Sequence, residues 1–425
     1  MGKKFNFMAL ALIVIICVVT AEHYEELTSV IDSGDTAWMI VASAFVLLMT
    51  PGLSFFYGGM ISKKHIISTM LQSFVALGVI SVLWVIVGFS LCFGESIGGI
   101  IGNPLTYFNF HGVGSEPNPD FSGTIPFLLF ALFQLKFAII TPALITGSMA
   151  GRIRFRSYIL FMVLFSLLIY SPLAHMTWHP DGLLRNWGVL DFAGGTVVHM
   201  SAGLAALAGA VILGKRKEQT HEPGNVPFVI LGTGLLWFGW FGFNAGSALG
   251  ANADAVIAFA NTNIASATAM ITWMFYERML GRKMSAIGAC VGAVVGLVAI
   301  TPAAGFVNIG QSMFIGFIAA LICNWAIQWK NRSSIDDTLD VFPSHGVGGI
   351  VGMILTAVFA KDVGLVYGET TTFLYHLLAL VMTAAFAFGG SYLLFKLVDS
   401  LLSMRVREDQ EDVGLDLSQH GEQVE

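Results

Sequence analysis

Residues 191–217 read DFAGGTVVHMSAGLAALAGAVILGKRK, and this stretch decides the class of fold. From Phe192 to Gly214 it contains no Asp, Glu, Lys or Arg, a run long enough for a helix of about 20 residues to cross a bilayer. Its glycines and alanines suit helices packed backbone to backbone, and it ends on the basic cluster Lys215, Arg216 and Lys217. Comparable apolar stretches begin near Thr36, His65, Thr124, Ser157, Asn225, Ala253, Met284, Gly310, Val341 and Thr371. With the span that opens at Asp191, they predict an all-α integral membrane protein with eleven transmembrane helices. Composition agrees: of 425 residues, 56% are apolar and only 11% charged, less than half of the roughly 25% that covers a soluble protein. A water-soluble globule and a disordered chain are both excluded.

Residues 1–21 carry Lys3 and Lys4, an apolar run from Phe5 to Val19, and then Thr20 and Ala21. That order predicts a cleaved signal peptide, followed by a membrane domain over 22–403 and a polar tail over 404–425. Alternate loops hold Lys63 and Lys64, then Arg152, Arg154 and Arg156, then Lys215 to Lys217, then Arg278, Arg282 and Lys283, then Lys330 and Arg332. The remaining loops hold only Arg185 and Lys361. Basic loops stay on the cytoplasmic side, so the mature N-terminus is expected outside, the C-terminus inside, and the span number odd. Five spans per half would make the two halves inverted repeats, with a long eleventh helix added. A net charge of -6 without a basic face argues against nucleic-acid binding. Cys17, Cys92, Cys290 and Cys323 lie in apolar runs without metal-ligand spacing and read as core residues; no metal, cofactor or catalytic residue is expected.

An ionisable side chain inside a span is expensive unless paired or hydrated, so Lys136, Asp191, His199 and His345 carry the most information. One histidine comes from each half. Two neutral imidazoles can bond each other and form a polar strip in an apolar lumen; two separate core histidines, or the ligands of a haem, are the other readings. Asp191 reads as a helix N-cap whose charge also favours a cation nearby. Phe133 and Phe137 are four apart on one helical face, and aromatic faces attract a cation.

The runs FFYGGM (55–60), FQLKFAIITPALITGSMAGR (133–152), DFAGGTVVHMSAG (191–203), GWFGFNAGSA (239–248) and DVFPSHGVGGIVG (340–352) resemble the ammonium transporter branch of the ammonium transporter and Rhesus family. The resemblance covers about residue 35 to His420. It implies two inverted five-helix halves plus the eleventh helix, a homotrimer with one pore per subunit, and residence in the plasma membrane. By matching positions it implies an outer ammonium-recruiting site of Trp178, Phe133 and Ser247 supported by Asp191. Phe137 and Phe243 become a pair of gating rings, and His199 and His345 the pore histidines. Ammonium would then be gathered at the mouth, stripped of a proton and conducted as ammonia, because a bare ion in an apolar pore carries a large desolvation penalty. An ammonium receptor with little flux is the alternative.

Two departures from the family pattern stand out. Lys136 sits beside Phe137, where a small or uncharged residue is expected; it either snorkels toward water or reaches the recruiting site. Pro343 and Ser344 precede His345 and bear on how that helix begins. The tail 405–422, RVREDQEDVGLDLSQHGE, resembles the family's cytoplasmic tail, which implies contact with PII signal proteins, although the aromatic residue expected after Glu422 is missing.

Overall fold

The computed structural model describes residues 30–218 and 222–424, together with Met8, Ala11, Leu12, Val14 and Ile15. The leader expected at 1–21 therefore lies almost wholly outside the described residues. Among the described residues eleven apolar helices follow one another: α1 Ser33–Met60, α2 Lys63–Phe93, α3 Phe127–Met149, α4 Phe155–Asn186, α5 Gly195–Leu213, α6 Val226–Gly246, α7 Ala253–Met279, α8 Ala286–Ile300, α9 Ile309–Asn331, α10 Phe342–Phe359 and α11 Thr371–Leu401. Ten of them reach spanning length, and α8 is shorter. A small antiparallel hairpin, Ser96–Ile97 against Ile101–Gly102, ornaments the α2–α3 connection.

Helix starts follow local capping chemistry. Side chains of Asp32, Asn225, Asn252, Ser285 and Asn308 each accept a backbone N–H from the first turn of α1, α6, α7, α8 and α9, satisfying amides that have no partner inside the helix. Within the bundle, small residues set the spacing. A Cβ on Gly52 would press on Leu235, one on Gly242 on the Ala42 carbonyl, and one on Gly232 or Gly239 on Phe56 or Met49. Helices α1 and α6 thus touch backbone to backbone, as apolar membrane helices do when van der Waals packing replaces the hydrophobic drive. The same device brings α5 to α10, since a Cβ on Gly203 would collide with the Gly346 amide.

The end of the bundle that carries the basic loops is closed by buried charge and by the tail. Arg152 is fully buried; it donates to the Asp336 carbonyl at 2.5 Å and to Thr338 Oγ1 at 2.7 Å. Burial pulls its pKa down to about 10, against the attraction of Asp336. Arg216 and Asp336 form a buried ion pair at 2.9 Å. The tail then adds a bridge between Ile153 and Arg405. Further on, the Asp416 carboxylate accepts the Ile67 and Ser68 amides at the start of α2, at 2.9 and 2.7 Å. Gln419 holds the start of α4 in a similar way, accepting the Phe155 N–H at 2.8 Å. The tail is therefore held on the basic end by main-chain bonds at the starts of α2 and α4, with the Lys217–Asp412 ion pair at 2.5 Å beside them.

Candidate functional site

Three compartments lie in line through the bundle. The first, at the end away from the basic loops, is a cavity of about 360 Å³ whose lining includes Gln134, Phe137, Trp178, Asp191 and Ser247. Trp178 ends the regular Ser171–Trp178 segment of α4. Its indole N–H donates to the Asp191 carbonyl at 3.1 Å, and Arg185 donates to its own carbonyl at 3.0 Å. Ser247 donates its hydroxyl hydrogen to the Phe243 carbonyl at 2.8 Å, which leaves the oxygen's lone pairs for a donor in the cavity. Phe133 does not line this cavity: it is fully buried behind Phe137, edge to face at 5.1 Å.

Asp191 earns its burial through bonds. Oδ1 accepts the Gly194 and Gly195 amides at 2.7 and 2.6 Å; Oδ2 accepts the Thr196 amide at 2.8 Å and the Thr196 hydroxyl at 2.5 Å. The chain reaches this geometry through Gly194, whose φ of 119° suits only glycine. The carboxylate is thus an N-cap that also borders the cavity.

The floor of the cavity is a pair of rings. Phe137 faces the cavity and Phe243 the space beneath, with centroids 4.3 Å apart and planes tilted by 33°. Trp178 meets Phe137 edge-on at 5.6 Å.

Beneath them, the second compartment has room for about 10 Å³, bounded by Leu53, Phe56, Leu144, Trp240, His199 and His345. That is close to the least volume that holds one water-sized molecule. His199 and His345 face each other with Nδ1 atoms 3.3 Å apart, both almost fully buried. Their protons can be placed by counting. Thr301 donates its only hydroxyl hydrogen to the Leu297 carbonyl at 2.8 Å and receives the Trp240 indole N–H at 2.9 Å. His199 Nε2, 3.3 Å from the same oxygen, must therefore be a donor, since the oxygen has no hydrogen left to give. A neutral His199 then has a bare Nδ1, so His345 donates from its own Nδ1 and keeps Nε2 as an acceptor. Thr301 and Trp240 were not legible as part of the site, because neither is ionisable and both lie in ordinary apolar runs.

The third compartment opens at the basic end: about 330 Å³, with Met60, Glu277, Arg282, Val291 and Asp340 among its lining residues. Lining continues along single helix faces from one compartment to the next. Phe137 leads to Ile140 and Leu144 on α3; Phe56 leads to Met60 on α1; Val294 leads to Val291 on α8.

One more residue belongs to this architecture. Asp337 accepts the Val341 and Phe342 amides at 3.1 and 2.8 Å, capping α10 eight residues before His345, as Asp191 caps α5 eight residues before His199. The equal spacing is visible in the sequence as Asp191 with His199 and Asp337 with His345. Both histidines then fall in widened turns with i→i+5 bonding, Gly195–Met200 and Phe342–Val347. Pro343, in the first turn, has no N–H to leave unpaired. Lys136, in contrast, is half-buried on another face of α3 and lines none of the three compartments.

A helical bundle with a polar mouth, a one-molecule constriction and a second mouth opposite is a membrane transport protein, not an enzyme. The Ammonium Transporter Family model matches residues 37–425, and the chain belongs to that family. It is 47% identical to the ammonium transporter of Aquifex aeolicus over 401 residues, 93% of this chain and 94% of that one. The crystal structure of Saccharomyces cerevisiae Mep2 superposes with a TM-score of 0.84 at 35% identity, covering 90% of this chain and 92% of that one. A structure described as a sensor Amt protein gives 0.85 at 30% identity, covering 91% and 98%.

Proposed function

We propose that this chain moves ammonium nitrogen across a cell membrane by taking the cation at the Trp178 cavity and passing ammonia between His199 and His345. The observation that carries this reading is the continuous lining from a polar, aromatic cavity into a constriction the size of one small molecule. Ammonium has four N–H donors. The Ser247 oxygen can accept one, and the faces of Trp178 and Phe137 interact with the charge. Asp191 adds a negative charge close by, already bonded and so unable to trap the ion. Below the Phe137–Phe243 rings the ion would lose its water without regaining its bonds, a penalty of several kcal/mol even after relaxation. Neutral ammonia avoids most of it, and the bare Nε2 of His345 offers an acceptor for an ammonia N–H. A potassium ion has neither donors to give nor a proton to leave behind.

The basic end is assigned to the cytoplasm by the excess of Lys and Arg in its loops, which sets the N-terminus outside and the C-terminus inside the plasma membrane. Residues 1–21 act as the signal peptide and 404–425 as a regulatory tail on the membrane domain. The subunits assemble as a homotrimer, and a PII-type signal protein is the candidate partner of the basic end. The test is current on a solid-supported membrane after an ammonium jump. A transient in the native protein that disappears with His199→Ala supports transport; ammonium binding without any transient would support a receptor instead.

A further inference from the structure

Lys136 remains unexplained by the transport path. Its neighbours on the same half-buried face of α3, Leu129 and Leu132, are apolar, and its amine forms no bond or ion pair with any described residue. A charged side chain left alone among apolar neighbours inside a membrane helix is costly, so such groups are paired or hydrated. A second polar side chain shares the problem. Asn263 is exposed on the outer face of α7, between the exposed apolar residues Val256, Phe259 and Ile271, and its amide likewise bonds no described residue.

A series of lateral contacts puts the two at a similar level. Phe137, next to Lys136, stacks on Phe243 at 4.3 Å; Asn244, next to Phe243, donates to Thr262 at 2.8 Å; and Asn263 follows Thr262. They cannot meet within one chain, because α3 packs on α1, α2, α4 and α5 whereas α7 packs on α6, α8 and α9. Subunits of a membrane ring are related by rotation about the bilayer normal, so only groups at equal depth come together across a head-to-tail contact. We propose that Lys136 of one subunit donates to the Asn263 side-chain oxygen of a second copy of this chain, pinning the register of adjacent subunits. An ammonium donor on an amide oxygen is a charge-assisted bond. It gives a partner to two polar groups that face apolar surroundings, and it makes the lysine a feature of assembly rather than of conduction. The inference rests on the homotrimer proposed above.

The test pairs Lys136→Cys with Asn263→Cys in one full-length chain, in native membranes, and treats it with a short bifunctional methanethiosulfonate. A lysine–asparagine contact can hold the two backbones beyond the reach of a disulfide, about 7 Å between Cα atoms, so a linker is needed. Loss of the monomer band to a cross-linked trimer, with neither single variant cross-linking, is the expected result. A trimer on native electrophoresis that never cross-links would overturn the pairing while leaving the assembly intact. A monomer on native electrophoresis of the unaltered protein would overturn the assembly, and the pairing with it. As a second readout, Lys136→Met should lower the temperature at which the trimer dissociates, and adding Asn263→Leu should lower it little further. Dissociation unchanged by Lys136→Met would refute the pairing, as expected if the lysine only snorkels.

Discussion

Asp191 and Asp337 perform the same task at opposite ends of the bundle and differ in what surrounds them. Each caps a helix whose ninth residue, counted from the aspartate, is one of the paired histidines. Asp191 receives four bonds and borders the aromatic cavity. Asp337 receives two, is fully buried, and has the Lys330 ammonium beside it, bonded to its carbonyl at 2.9 Å. A cap and a histidine are thus repeated at the two ends, and on the reading proposed above the groups packed around Asp191 make its mouth the one that gathers the cation. The local structure is repeated; the electrostatics are not.

The largest test of this contrast is to remove the carboxylates one at a time. Asp191→Ala leaves three amides and a hydroxyl without their acceptor, at about 1–3 kcal/mol for each group that water cannot reach, and also removes the charge at the cavity. Ammonium uptake should fall by at least about a hundredfold, the equivalent of roughly 3 kcal/mol. Asp337→Ala, with two amides affected and no cavity bordered, should cost about tenfold or less in uptake by proteoliposomes. Equal losses would mean that Asp191 acts only as a cap.

A smaller effect is expected from Thr301→Val. It removes the oxygen that fixes the His199 tautomer while leaving the cavity untouched, so maximal uptake should drop about tenfold, close to 1.4 kcal/mol, with the half-saturating ammonium concentration unchanged. A rise in that concentration instead would place Thr301 in recognition. Ser247→Ala should do the reverse, weakening half-saturation a few-fold, the roughly 1 kcal/mol net worth of a typical hydrogen bond exchanged with water, while sparing the maximal rate.

The smallest effect concerns acid. Burial raises the Asp337 pKa from 3.8 to about 6, with the Lys330 charge opposing, whereas Asp336, next in the chain, is held below the ordinary range by Arg216 and Arg152 despite its burial. A carboxyl that binds its proton more tightly when folded becomes a growing liability as pH rises through that interval. The melting temperature of the native protein minus that of Asp337→Asn should therefore decline from about pH 4 to about pH 6 and level off above. A flat difference would place Asp337 on an ordinary pKa.

Most of the fold was legible from residue patterns, because a bilayer permits few solutions. Eleven apolar runs became eleven helices, and loop charge marked one end of the bundle. Helix starts were less sharp: the run opening at Asp191 becomes helical only from Gly195, since the aspartate stands outside as a cap. Within the site, ionisable residues in apolar runs announced themselves, and His199 and His345 do meet. Phe133, assigned to the outer site through the family resemblance, is absent from the cavity lining and packs against Phe137. Thr301 and Trp240 were hidden, as their role depends on a shared hydroxyl that only tertiary packing brings within reach.

If the lumen passes nitrogen only after its positive charge is shed, a bare monovalent cation of similar size should neither compete nor cross. Proteoliposomes should take up ammonium at an undiminished rate in a large excess of external potassium and should show no rubidium influx above protein-free vesicles. Rubidium influx at a rate comparable with ammonium uptake would mean that bare cations cross between His199 and His345, contradicting the account.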